Sequence, residues 1–183
     1  ILKAIKERNG RVFLDLKFFD IPNTVAQAVR MAVRHKVQML TLHILGDEEM
    51  IKAAVIAAKD EAKKLKVKKP LLIGVTVLTS KEANSSDVLT LAKMGIECGL
   101  DGVVCSAREA KMLRESIKRN FVIVTPGIRP QGGIKNDQKR TATIAEAIKA
   151  GSNFLVIGRP ILEAKDPLKS AQEILGEAYG RRD

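Results

Sequence analysis

The sequence predicts an α/β fold built on a parallel β-sheet, and three observations support this prediction. Short apolar segments alternate with amphipathic, helix-like segments along all 183 residues. Successive apolar segments lie about 25 to 35 residues apart, the length of one strand–helix unit in a parallel sheet. Polar residues and glycines follow many of these segments, as at the catalytic rim of a (β/α)8 TIM barrel. We therefore expect one barrel domain over residues 1–183, because a doubly wound sheet would need a GxGxxG turn after its first strand.

Six strands are predicted from apolar segments rich in β-branched residues. In chain order they cover residues 12–18, 39–44, 71–77, 102–105, 121–124 and 154–157. Helix boundaries follow from local signals: Pro22 and Ser106 begin helices, while Gly10 and Pro70 end structural elements. The predicted helices are a short one ending near residue 10, then 22–35, 47–65, 85–97, 106–118, 144–150 and 168–178, with a long loop at 125–140.

Composition narrows the possible partners. The net charge is +11, but aromatic residues make up only 3% of the chain, too few for the ring platforms on which single-stranded nucleic acid stacks. We interpret the basic run Lys63–Lys69 as the solvated end of a helix and expect no nucleic-acid partner.

No apolar run approaches the roughly 18 residues that span a membrane. Cys98 and Cys105 lack metal-ligand spacing and are expected in the core of a cytoplasmic protein.

The most informative segment is Asp15–Thr24, which follows the apolar Val12–Leu14. Asp15 and Lys17 are two residues apart, so their side chains leave the same face of a strand. A carboxylate and an ammonium on a covered sheet are costly unless they pair or take part in chemistry. From this pattern alone, a structural ion pair and a catalytic pair are both open.

Two arginines occupy equivalent places after the last two predicted strands. Arg129 lies in a Pro–Gly turn after the fifth strand, and Arg159 follows Gly158 after the sixth. Guanidinium groups and backbone amides at neighbouring strand ends can clamp a phosphate group. The alternative is that both are ordinary surface arginines.

Other polar residues leave two interpretations open. Gln138 in the long loop either closes over a ligand or is solvated, and Thr79 and Ser80 either contact a ligand or simply precede a helix. His43 is either a packed core residue or a catalytic one. With only 2 histidines in the chain, a histidine-based metal site is not expected.

Together these motifs resemble the orotidine 5′-phosphate decarboxylase family. The resemblance rests on Asp15-Leu16-Lys17 with Asp20-Ile21-Pro22-Asn23-Thr24, on Leu78-Thr79-Ser80, on Thr125-Pro126-Gly127-Ile128-Arg129 with Asp137-Gln138-Lys139-Arg140, and on Gly158-Arg159-Pro160-Ile161. The motifs follow the family's order and spacing over nearly the whole chain. The D-x-K-x-x-D core also occurs in related sugar-phosphate barrels, whereas the other motifs are similar to the decarboxylase.

The resemblance implies a cofactor-free, metal-free decarboxylation of orotidine 5′-monophosphate (OMP) to uridine 5′-monophosphate (UMP). In such enzymes the lysine matched by Lys17 protonates the C6 carbanion, and the aspartate matched by Asp15 orders that lysine beside the substrate carboxylate. The residues matched by Asp20 and Thr24 reach into the partner's site of a homodimer. The remaining matches imply substrate binding, with the pyrimidine near Thr79 and Ser80 and the phosphate held by Gln138, Gly158 and Arg159, with Arg129 nearby.

Some features depart from the family's pattern. Phe19 stands where histidine is common and Asp47 where glycine is common, although neither is a catalytic position. The family's first two strands, with a ribose-binding aspartate and a substrate-binding lysine, have no counterpart. We therefore expect strands 3 to 8 of a barrel of about 250 residues, in an N-terminally truncated sequence.

Three alternatives remain at this level. The first is a Mg²⁺-dependent sugar-phosphate enzyme of the same superfamily, such as a hexulose-6-phosphate synthase or a 3-keto-gulonate-6-phosphate decarboxylase. The second is a non-catalytic nucleotide-binding remnant, which the missing strands would suggest. The third, a basic nucleic-acid binder, would show strongly salt-dependent binding to DNA.

Overall fold

The computed structural model describes residues 1–77, 84–129 and 141–180. Within these ranges the helices are α1 (Leu2–Glu7), α2 (Pro22–Arg34), α3 (Asp47–Leu65), α4 (Ser85–Glu97), α5 (Ala107–Ser116), α6 (Ile144–Lys149), α7 (Arg159–Leu162) and α8 (Pro167–Tyr179). The strands are β1 (Phe13–Phe18), β2 (Met39–His43), β3 (Leu71–Val75), β4 (Gly102–Val104), β5 (Val122–Thr125) and β6 (Phe154–Leu155). The chain divides into two compact units, residues 1–76 with 90–103 and residues 77–89 with 104–183.

In the first unit, β1, β2, β3 and β4 are neighbours in chain order. The pairing of β1 with β2 and of β2 with β3 is parallel, with Met39 opposite both Phe13 and Leu71. Strands β2 and β3 are apolar almost throughout because their side chains are buried on both faces. This order, with a helix between successive strands, is the one that strand–helix units generate.

Helices α2 and α3 pack against each other in the same unit. Helix α2 begins at Pro22, whose fixed φ and missing N–H suit the first turn, and it buries an apolar stripe that includes Val25 and Val29. In α3, Glu61 is buried and accepts a hydrogen bond of 2.7 Å from Nε of Arg34 on α2. That hydrogen bond lowers the pKa of Glu61 below its ordinary value, so the two helices are tied by charge as well as by apolar packing.

In the second unit, β5 pairs in parallel with β6, with Val124 opposite Phe154. Cys105, which belongs to the same unit, donates its N–H to the carbonyl of Val124 in β5. One apolar cluster of this unit is formed by one residue after β5 and by residues of α6 and α8: Ile128, Ile144, Ala147 and Ile174. An isolated parallel bridge between Ile128 and Ala142 fixes the chain just before Arg129.

Most predicted elements are confirmed, with small shifts at their ends. Helices α3 and α4 have the predicted bounds, while the third strand ends at Val75 and the sixth at Leu155, two residues earlier than predicted. Helix α7 was not predicted. At the end of α1 it is Asn9, with φ of 57°, that adopts the left-handed conformation, rather than Gly10.

The parallel α/β architecture is confirmed by these strands. The prediction of a closed eight-stranded barrel in a single domain, and of a truncated sequence, stays a prediction. Cys98 and Cys105 are buried, as expected, and the two do not form a disulfide bond. Over the described ranges, no helix is long and apolar enough to cross a membrane.

Candidate active site

The carboxyl end of β1 departs from regular strand geometry. Its pairing with β2 runs from Leu14 opposite Leu40 to Phe18 opposite Leu42, so four steps along β1 match two along β2. Lys17 lies within this irregularity and has a φ of 50°, in the left-handed region that side-chain-bearing residues rarely adopt. The backbone therefore leaves the ladder at the position of the predicted catalytic lysine.

Lys17 and Asp15 form the predicted pair. Nζ of Lys17 donates to Oδ2 of Asp15 at 2.6 Å. The two side chains are 37% and 46% exposed, respectively, so neither charge is enclosed within the sheet. They stand at an open strand end, where an ammonium and a carboxylate can meet a substrate.

A third residue, Thr41 of β2, links the pair to the sheet. Its hydroxyl accepts the backbone N–H of Lys17 at 2.9 Å and donates to Oδ1 of Asp15 at 2.8 Å. Thr41 is fully buried. Both carboxylate oxygens of Asp15 are thus held, one by Thr41 and the other by Lys17.

His43 is the last residue of β2 and lies beside the group formed by Lys17, Asp15 and Thr41. Its ring lies 5.6 Å from that of Phe19, at an interplanar angle of 55°. Burial lowers the pKa of His43 below its ordinary value, and the positive charge of Lys17 lowers it further, while the Asp15 carboxylate opposes the shift. Among the residues that the structure describes, its buried Nδ1 has no hydrogen-bond partner. His43 is therefore neither a fully packed core residue nor a partner of the Lys17–Asp15 pair.

Asp20 and Thr24 lie after β1 and in the first turn of α2, and both are exposed. The Asp20 carboxylate accepts the N–H of Ile21 at 2.7 Å. Phe19 and Ile21, which flank Asp20 in the sequence, are 62% and 67% exposed. The segment thus presents one carboxylate between two large apolar side chains.

In the second unit, Arg129 and Arg159 each lie four positions past a strand end, after Thr125 of β5 and Leu155 of β6. The backbone N–H of Arg129 donates to the carbonyl oxygen of Ala142 at 2.9 Å, and its Nη1 donates to the carbonyl oxygen of Ile128 at 2.8 Å. Its Nη2 is buried and, over the described ranges, has no partner. These contacts fix the guanidinium group while leaving one of its nitrogens available for a ligand.

Gly158 immediately precedes α7, which begins at Arg159. A Cβ atom built on Gly158 would meet no atom within 4 Å, so the backbone here borders open space. A ligand can approach this peptide closely. Thr79, Ser80 and Gln138 lie outside the described residues.

Thr41 is the site residue that sequence reasoning missed. The signal was present, because a threonine stands inside the apolar run Met39–Ile44. Its partners, however, are 24 and 26 residues away in the chain. In the part of the chain that the structure describes, no three His, Cys, Asp or Glu side chains are grouped as a metal site would need.

The fold and this geometry define a class of protein. A parallel α/β chain that fixes an ammonium beside a carboxylate at a strand end has the groups with which an enzyme can stabilise a developing negative charge and deliver a proton.

Comparison with known proteins identifies the family. The family model described as "Orotidine 5'-phosphate decarboxylase / HUMPS family" matches residues 1–174. The chain belongs to this family.

Three relatives illustrate the match. The orotidine 5′-phosphate decarboxylase of Moorella thermoacetica is 46% identical, over 96% of this chain and 75% of the relative. That of Hydrogenovibrio crunogenus is 49% identical, over 95% and 76%. The crystal structure of orotidine 5′-phosphate decarboxylase from Lactobacillus acidophilus superposes with a TM-score of 0.83 at 35% identity, over 97% of this chain and 79% of that one.

Proposed function

We propose that this chain decarboxylates OMP to UMP and CO₂, a step of pyrimidine biosynthesis. The observation that carries the proposal is the 2.6 Å pair of Lys17 Nζ and Asp15 Oδ2 at the end of β1. The relatives that share 46% to 49% of their residues with the chain carry the decarboxylase name, which favours this activity over the sugar-phosphate reactions.

The proposed reaction needs one group that is both cation and acid. As the bond between C6 and the carboxylate breaks, its electron pair stays on C6 and CO₂ departs. The Lys17 ammonium stabilises that negative charge and then gives its proton to C6, which forms UMP and leaves a neutral amine that regains a proton from water. Asp15 keeps the ammonium aimed at C6 through the short contact.

The phosphate is proposed to bind in the second unit. Arg129 supports this role because its guanidinium group is anchored by one nitrogen and has another that is buried without a partner in the described structure. A bidentate arginine is well suited to phosphate. Gly158, Arg159 and Gln138 complete the proposed phosphate site, and Thr79 and Ser80 lie near the pyrimidine. Binding energy from the phosphate, remote from C6, can be used to organise the reacting end.

Asp20 and Thr24 are proposed to act across a homodimer, each in the partner's site. Their exposure and the exposed apolar side chains of Phe19 and Ile21 support an interface here. A closed (β/α)8 barrel and a cytoplasmic location complete the proposal. The likeness to the decarboxylase from Lactobacillus acidophilus supports the barrel.

The decisive experiment follows the decrease in OMP absorbance together with CO₂ release, with and without EDTA. We expect turnover that EDTA does not change. Activity on a hexulose phosphate that EDTA abolishes would instead indicate a Mg²⁺-dependent relative. Binding of UMP with no turnover of OMP would indicate a non-catalytic nucleotide-binding protein.

The dimer is tested by mixing two inactive variants, Lys17→Ala and Asp20→Ala. If each site combines Lys17 of one subunit with Asp20 of the other, half of the randomly mixed dimers have one intact site. Activity should then recover to about a quarter of the wild-type value in a two-fold symmetric dimer. No recovery, with mixed dimers confirmed by mass spectrometry, would place both residues in the same subunit's site.

A further inference from the structure

The hydroxyl of Thr41 makes two hydrogen bonds whose directions are both determined. A backbone N–H can only donate, so the hydroxyl accepts from Lys17 at 2.9 Å. An ionised carboxylate can only accept, so the hydroxyl donates its one proton to Asp15 at 2.8 Å. Because Thr41 has 0% exposure, water cannot compete for either bond.

The backbone at Lys17 depends on this hydroxyl. In the irregular part of β1, between Leu14 and Phe18, the ladder to β2 is interrupted, and Lys17 lies there with a φ of 50°. A left-handed conformation is unfavourable for a residue with a side chain, and it persists where surrounding contacts determine it. The side chain of Thr41 supplies the acceptor for the Lys17 N–H.

The same hydroxyl restrains the carboxylate. An ion pair as exposed as Lys17 and Asp15, at 37% and 46%, is ordinarily weak because two flexible side chains must be held in one geometry. Here Thr41 fixes Oδ1 of Asp15, and with it the orientation of the carboxylate. Oδ2 therefore accepts from the Lys17 ammonium in one direction. The buried hydroxyl of Thr41 thus fixes both the backbone conformation of Lys17 and the orientation of its counter-ion, Asp15.

We propose that Thr41 is a positioning residue, which holds the Lys17 ammonium in its reactive direction without touching the substrate. The inference rests on the proposed function, since it assigns Lys17 as the proton donor. A purely structural threonine would contribute to stability and leave the chemistry of each bound substrate unchanged.

The test compares Thr41→Val, which keeps the shape and removes the hydroxyl, with Thr41→Ser, which keeps the hydroxyl and removes a methyl group. We expect kcat of Thr41→Val to fall about tenfold to a hundredfold, as for a misplaced catalytic group. KM for OMP and Kd for UMP should change less than about threefold, because the phosphate contacts are intact. Thr41→Ser should retain most of the wild-type kcat.

A second measurement does not need turnover. Hydrogen exchange of the Lys17 amide, followed by NMR, should be at least about tenfold faster in Thr41→Val than in wild type and Thr41→Ser, since the amide loses its acceptor. Unchanged Lys17 exchange in a folded Thr41→Val variant would overturn the proposal even if the wild type is an active decarboxylase. A wild type that does not turn over OMP would instead overturn the proposed function.

Two kinetic outcomes would also overturn the positioning role. One is a Thr41→Val variant with lower thermal stability but unchanged kcat. The other is a Thr41→Ser variant that folds as well as wild type but loses as much kcat as Thr41→Val.

Discussion

The end of β1 and the segment after β5 satisfy their polar groups in different ways. At the end of β1, both oxygens of Asp15 are bonded, one by Thr41 and one by Lys17. After β5, Arg129 is anchored through its N–H and Nη1, yet its buried Nη2 has no partner among the described residues. A buried donor without a partner is costly.

This difference indicates that the two regions have different roles in the proposed reaction. A charge pair whose carboxylate is bonded at both oxygens keeps one geometry before substrate arrives, as proton transfer to a transient carbanion requires. An anchored guanidinium group with a remaining donor gains a hydrogen bond when an anion binds. The first region should therefore determine kcat and the second the affinity for the phosphate, which substitutions can separate.

The largest effect is expected for Lys17→Ala. Removing the proposed cation and proton donor should lower kcat by at least about a thousandfold, since electrostatic stabilisation and acid catalysis each contribute 10²-fold or more. UMP binding, measured by calorimetry, should remain within a few-fold of wild type. Lys52→Ala is the matched control, because Lys52 pairs with Glu48 on the exposed face of α3 and should leave kcat unchanged. Activity above a tenth of wild type in Lys17→Ala would exclude Lys17 as the proton donor.

Arg129→Ala is expected to have the next largest effect, and mainly on binding. Loss of a charge-assisted hydrogen bond should raise KM for OMP and Kd for UMP about tenfold to a hundredfold. Binding of uridine, which lacks the phosphate, should be unaffected. The exposed Arg119 provides the control variant, Arg119→Ala. Equal weakening of uridine and UMP binding would contradict the separation of roles between the two regions.

The smallest expected effect is the contribution of His43 to the pH dependence of folding stability. Its pKa is lowered in the folded state below the ordinary value of 6.5, so the unfolded chain binds the proton more tightly. Its contribution to stability is then fully present above pH 6.5 and is lost as the pH falls through the folded-state pKa. His43→Gln should flatten the loss of stability between pH 7.5 and 5.5 by roughly a few tenths of a kcal/mol, because the partly exposed ring is screened by solvent.

Urea unfolding at the two pH values measures this difference. His35→Gln is the control, because His35 is exposed at the end of α2. A steeper pH dependence in His43→Gln than in wild type would mean that His43 is stabilised in its charged form, contrary to its position beside Lys17.

Local signals account for what the sequence could predict. The bounds of α3, Asp47–Leu65, were predicted from Gly46 just before the helix and Pro70 shortly after it. The capping box that joins Ser106 and Glu109 likewise lies within four residues. The Lys17–Asp15 pair was predicted from strand alternation, and the contact is present although Lys17 leaves the regular strand conformation.

The features that the sequence could not predict depend on contacts between residues that are distant in the chain. The interruption of the β1 ladder and the role of Thr41 require the register of two strands that are joined only in the folded sheet. The placement of Arg129 depends in part on the hydrogen bond from its backbone N–H to Ala142, beyond the long loop. A threonine inside an apolar run is visible in the sequence, but its partners, like those of Arg129, are known only once the strands are placed.

The left-handed backbone of Lys17 has a consequence for stability. Glycine adopts this conformation without the steric cost that a side chain brings. Lys17→Gly should therefore yield a chain more stable than Lys17→Ala, yet equally inactive. The lysine side chain at this position is therefore kept at a cost to the fold, as the proposed role of Lys17 in proton transfer requires.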